Sequence, residues 1–102
     1  MVLLDFSVTP MGVGESVSAQ VARCLEIVEK SGLDYRLHAM GTTVEGELDQ
    51  VLDLMKRCVE AVSRDANRVS VTAKLDYRKG KSGMLEGKVA SVEQKVGHKL
   101  KT

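Results

Sequence analysis

Val2, Leu4, Phe6 and Val8 are apolar at every second position, with Asp5, Ser7 and Thr9 between them; Leu3 interrupts the alternation. A period of two marks a half-buried strand. Pro10 and Gly12-Val13-Gly14 predict its end and a loop. Val17, Val21, Cys24, Leu25 and Val28 then recur at the spacing of one helix face. Ser16 or Ser18 is placed to cap that helix, and Ser31-Gly32 to stop it.

Leu33, Tyr35, Leu37 and Ala39 alternate against Asp34, Arg36, His38 and Met40, which predicts a second strand. Gly41-Thr42 is read as a tight turn, and Thr43-Val44-Glu45 as a short third strand ended by Gly46. A second helix follows, with Leu48, Val51, Leu52, Met55, Val59 and Val62 on its apolar face. Asp49 and Asp53 near its start suit the positive end of a helix dipole. The fourth strand has the clearest pattern: Val69, Val71, Ala73, Leu75 and Tyr77 face one way, and Ser70, Thr72, Lys74, Asp76 and Arg78 the other. After the basic connector Lys79 to Gly83, Leu85, Val89, Val92 and Val96 form a narrow seam on a C-terminal helix placed at residues 83–97.

The order β-α-β-β-α-β plus a helix predicts an α+β fold, with the first two helices on one face of the sheet. The other face then carries Asp5, Ser7, Thr9, Arg36, His38, Thr43, Glu45, Lys74, Asp76 and Arg78. Charges gathered on one face need partners if that face is covered. The expectation is that another subunit covers it and that the C-terminal helix serves assembly.

The 102 residues are enough for one domain, taken as 1–102. A net charge of +1 supplies no field to steer nucleic acid or an anionic membrane. The three aromatics, Phe6, Tyr35 and Tyr77, are too few for a base-stacking platform. No apolar run is long enough to span a bilayer or to act as a secretory segment, so a cytoplasmic location is expected. Cys24 and Cys58 fall on or beside helical apolar stripes and are read as reduced, buried thiols. No metal-ligand spacing and no nucleophile motif occurs, so neither catalytic nor metal-binding residues are assigned.

Three places could carry chemistry. The loop from Pro10 to Ser18 enters a helix N-terminus and offers free N–H groups. His38, Glu45 and Asp5 fall on one face, where an imidazole could meet a carboxylate. Leu37 to Gly46 gathers two hydroxyls, an imidazole and a carboxylate around one turn. Mixed donors and acceptors of that kind suit a small heteroaromatic ligand with ring nitrogens and an amino group.

The run Gly41-Thr42-Thr43-Val44-Glu45-Gly46, set after Leu37-His38, resembles the YkoF-like thiamine-binding family. The likeness extends through Val8-Thr9-Pro10 and Gly12, Ser16-x-Ser18 with Val21, Ser31-Gly32-Leu33, Asp49-x-Val51, Arg68-Val69 and Asp76-x-Arg78. It implies a ferredoxin-like fold whose subunits pair through their sheets, here as a dimer of dimers. It also implies binding of thiamine or its hydroxymethylpyrimidine moiety, without catalysis and with no further cofactor. Carried onto this chain, the ligand residues are Ser16, Ser18, His38, Thr42, Thr43 and Glu45. In that scheme Glu45 meets the pyrimidine amino group, His38 orients Glu45, and Met11 and Met40 supply apolar walls. The alternative is an oligomeric structural or regulatory protein that takes no small ligand.

Overall fold

The computed structural model describes residues 1–15 and 17–102. The elements run β1 (Val2–Met11), α1 (Ser18–Lys30), β2 (Asp34–His38), β3 (Gly41–Gly46), α2 (Leu48–Ser63), β4 (Arg68–Tyr77) and α3 (Met84–Val96). The strands form one antiparallel sheet in the order β2-β3-β1-β4. This is the ferredoxin-like α+β arrangement expected from the sequence, with a C-terminal helix added.

The period-two residues of β1 face α1 and α2. Val2, Leu4, Phe6 and Val8 are buried there with Val44 of β3, Cys24 and Val28 of α1, and Val51, Leu54, Cys58 and Val62 of α2. Burying each Val or Leu contributes about 1.5–3 kcal/mol, which sets the sheet's register. Phe6 pairs with Thr42, Leu4 with Val44 and Asp5 with Thr43, so successive residues of β3 point to opposite faces.

Several boundaries differ from the sequence reading. Pro10 lies inside β1, opposite Val69. β3 pairs with β1 only from Val2 to Phe6, so Pro10 sits where β1 has a single neighbour and its missing N–H breaks no second ladder. The β2–β3 turn is Ala39-Met40, joining the paired residues His38 and Gly41, so Gly41-Thr42 already belongs to β3. Gly41 is required for packing, because a Cβ there would lie 2.9 Å from the Phe6 carbonyl oxygen. The face of α2 is rotated from the expected one. Leu54, Cys58 and Ala61 are buried beside Val51 and Val62, whereas Leu48 and Leu52 are exposed. The N-cap of α1 is Val17, with no side-chain cap, and Ser18 occupies the first helical position. Ser16 lies outside the described residues.

Just past the end of α1, Gly32 has a φ of +76°, a left-handed conformation that glycine adopts without a steric penalty. α2 begins with a capping box: the Glu47 N–H donates to Gln50 Oε1 at 3.0 Å, and the Glu47 side chain accepts from the Gln50 backbone.

α3 lies across one end of the other sheet face. Glu45 Oε2 accepts the Met84 N–H at 2.9 Å and Oε1 the Leu85 N–H at 3.5 Å. Arg36 of β2 donates to Glu86 at 2.8 Å, and Lys88 pairs with Asp76 of β4. Part of the polar face is thus covered by the chain's own C-terminal helix. α3 has no fully buried residue, and Val89, Val92 and Val96 stand exposed. No helix among the described residues is long and apolar enough to cross a membrane.

Candidate functional site

A cavity of about 300 Å³ opens between α1, the upper part of β1 and the β2–β3 hairpin. Its walls are apolar: Phe6 and Val8 from the sheet, and Val21, Cys24 and Leu25 from α1. Leu37 and Met40 border it from the hairpin and are 59% and 85% exposed. Thr42 is 5% exposed and lines the cavity from the helix-facing side of β3. His38 lines it at the hairpin end. An apolar recess with a few placed polar groups is the usual form of a small-molecule site, and this volume is at the lower end of such sites. It suits one heteroaromatic ring.

His38 also reaches the open face of the sheet. Its Nε2 lies 3.0 Å from Asp5 Oδ1, and Thr43 Oγ1 donates to the same oxygen at 3.1 Å. The pairing holds the ring at the cavity's edge through Nε2 and leaves Nδ1 outside it. His38 and Asp5 are both partly exposed, so the contact positions the ring and adds little to stability.

The sequence-derived residues therefore fall into separate places. Thr42 and His38 come together at the cavity. Thr43 faces the opposite side and reaches His38 only through Asp5. Glu45, 6% exposed, gives its carboxylate to the N-terminus of α3, where the positive end of a helix dipole favours an anion. The expected His38–Glu45 contact is replaced by His38–Asp5. Ser18 opens α1. Met40 borders the cavity as expected, and Met11 is not among its lining residues. The aromatic wall, Phe6, was legible only as a core residue. Its place in the cavity follows from its register with Thr42, which no single strand's pattern reveals. No group of three or more His, Cys, Asp or Glu that could hold a metal ion occurs among the described residues.

The model of the thiamine-binding protein family matches residues 4–93. The chain belongs to the thiamine-binding protein family. A UPF0045 protein of Mycobacterium bovis is 44% identical over 94 residues, covering 91% of this chain and 92% of its own. A solved structure from Methanocaldococcus jannaschii superposes with a TM-score of 0.84 at 35% identity, covering 91% of this chain and 96% of that one. A candidate thiamine biosynthesis/salvage protein of Thermotoga maritima gives 0.78 at 25% identity, covering 89% and 97%. The family match spans both walls of the cavity and the hairpin that closes it.

Proposed function

We propose that this thiamine-binding family member is a non-catalytic binder that takes the aminopyrimidine ring of thiamine, or free hydroxymethylpyrimidine, into the cavity between α1 and the sheet. The observation that carries the reading is the pairing of a one-ring apolar recess with Thr42 on its wall and His38 at its edge. The ring packs against Phe6, Val8 and Leu25. Thr42 Oγ1 hydrogen-bonds a ring nitrogen or the amino group, and His38 Nδ1 offers a second contact. Ser18, at the start of α1, and Ser16, by its sequence position, belong to the same proposed ligand set. Thr43 contributes by fixing Asp5, which holds His38. Glu45 acts on α3 and leaves the ligand to the other residues. The thiazolium end of thiamine projects past Met40 toward solvent.

The same reading includes assembly. Val89, Val92 and Val96 form an exposed apolar stripe on a helix held to the sheet by polar contacts. A second copy docks there, and two such pairs make a dimer of dimers. The binder then works in the cytoplasm as a carrier, buffer or sensor.

Calorimetric titration with thiamine and with hydroxymethylpyrimidine tests the proposal. Saturable binding near micromolar, about −8 kcal/mol, is expected. A folded protein that gives no heat with either compound overturns it.

A further inference from the structure

Cys24 and Cys58 sit opposite each other where α1 packs on α2. Cys24 Sγ donates to the Cys58 carbonyl at 3.9 Å, and Cys58 Sγ donates to the Cys24 carbonyl at 3.8 Å. This reciprocal contact brings the two side chains together across the helix interface. The two thiols differ in access. Cys24 lines the cavity, whereas Cys58 is 0% exposed and lies behind it.

We infer that Cys24 and Cys58 form a reversible thiol–disulfide site beneath the cavity, in which Cys24 meets a peroxide through the cavity and Cys58 resolves it. The chemistry favours that order. The neighbouring Cys58 side chain holds the Cys24 thiol below its ordinary pKa, against the opposing effect of burial. The Cys24 side chain, together with burial, pushes the Cys58 thiol up. Cys24 is the thiol that lines the cavity, and thiolate is the nucleophile, so Cys24 reacts first. Its sulfur gives up its proton and attacks one oxygen of hydrogen peroxide, the O–O bond breaks, and Cys24 becomes a sulfenic acid as the leaving hydroxide takes that proton and departs as water. Cys58 Sγ then attacks the sulfenic sulfur. The S–S bond forms, the S–O bond breaks, and the departing hydroxide takes the Cys58 proton as water. Two thiols are oxidised and one peroxide is reduced to two waters.

The bond ties α1, which walls the cavity, to α2, and draws the Cys24 sulfur away from the cavity wall. The proposal is independent of which ligand the cavity holds, because it needs only that a molecule of peroxide size can enter.

The test is mass spectrometry of the full chain, treated with stoichiometric hydrogen peroxide and digested without reductant. Wild-type protein is expected to lose the mass of two hydrogens and yield one linked peptide pair, Cys24 with Cys58. Dithiothreitol restores the original mass. The same oxidation raises Tm by more than about 5 °C, since the link closes a long loop. Cys58→Ala is expected to trap the sulfenic acid on Cys24, read as a dimedone adduct, while Cys24→Ala leaves Cys58 unmodified. Unreacted wild-type thiols, a sulfinic acid at Cys24 in place of the link, or bridges only between separate chains each overturn the inference. The wild-type measurement decides it even where a variant folds poorly.

Discussion

Thr42 and Thr43 are adjacent in the chain and lie on opposite faces of the sheet, the first lining the cavity and the second donating to Asp5. The alternation of a strand separates two residues that look equivalent in sequence. Thr42→Val removes the hydroxyl from the cavity wall and keeps the shape. It is expected to weaken pyrimidine binding about tenfold, the effect of losing about 1.4 kcal/mol of hydrogen bonding. Thr43→Val loosens Asp5 and His38 only indirectly and is expected to weaken binding by about threefold or less. Calorimetry on both variants checks the pair. Equal losses would place both side chains on the ligand and contradict the register.

Glu45 is expected to behave differently from Thr42 although both belong to one sequence run. Its carboxylate receives two N–H groups from the first turn of α3. Glu45→Gln keeps the size and removes the charge that the helix end favours. A cost of about 1 kcal/mol is expected, with faster amide hydrogen exchange confined to the start of α3. Affinity for the pyrimidine stays within about twofold of the parent, because under the proposed reading Glu45 does not touch the ligand. A large loss of affinity with unchanged α3 exchange would return Glu45 to the ligand set.

Much of this arrangement was legible in the chain. The alternation in β1 and β4 gives both strands and, for β1, the face it buries, whereas Val71, Leu75 and Tyr77 of the edge strand β4 stay exposed; the helix order fixes the α+β class. The face of α2 was harder to read, because its apolar residues spread around the helix and Leu54 and Cys58 compete with Leu48 and Leu52 for the inward side. Glu45 could not be placed, since its partners lie some forty residues away in a helix whose docking no local pattern encodes. The break in alternation at Leu3 has the same origin. Leu3 is half-buried between Glu45 and Asp76 in the row that α3 crosses. The run from Gly41 to Gly46 is dense because each residue meets a different demand. Gly41 clears the Phe6 carbonyl, Thr42 faces the cavity, Thr43 holds Asp5, Val44 fills the core, Glu45 caps α3 and Gly46 lies under Leu33.

The docking of α3 depends on pH in a definite direction. The hydrogen bond and charge of Lys88 hold the Asp76 carboxyl below its ordinary value of 3.8, with Arg78 and Lys74 adding to the effect. A carboxylate with a depressed folded pKa contributes stability that is fully present above its unfolded value and is lost as pH falls through its folded value. Anchoring of α3 is therefore expected to be constant above about pH 5 and to weaken as the pH drops below about 4. Amide exchange in α3, followed by NMR across that range, reads it. Lys88→Met removes the acid-dependent part of the loosening attributable to Asp76.

The exposed stripe on α3 gives the last prediction. Val92 is 52% exposed, and no residue of α3 is fully buried within the chain. Val92→Asp therefore has little to disturb in the isolated fold, where surface changes are usually within about 0.5 kcal/mol. At an interface between copies it places an unpaired charge in an apolar seam, at a cost of several kcal/mol. Light scattering is expected to show a smaller assembly for Val92→Asp, while circular dichroism and Tm at low protein concentration remain close to the parent. Gln94→Asp adds the same charge on α3 away from the Val89, Val92 and Val96 seam, and is expected to leave the assembly intact. If both variants keep the parent's size, the seam is not the contact, and the polar end of the sheet that α3 leaves uncovered becomes the surface to test.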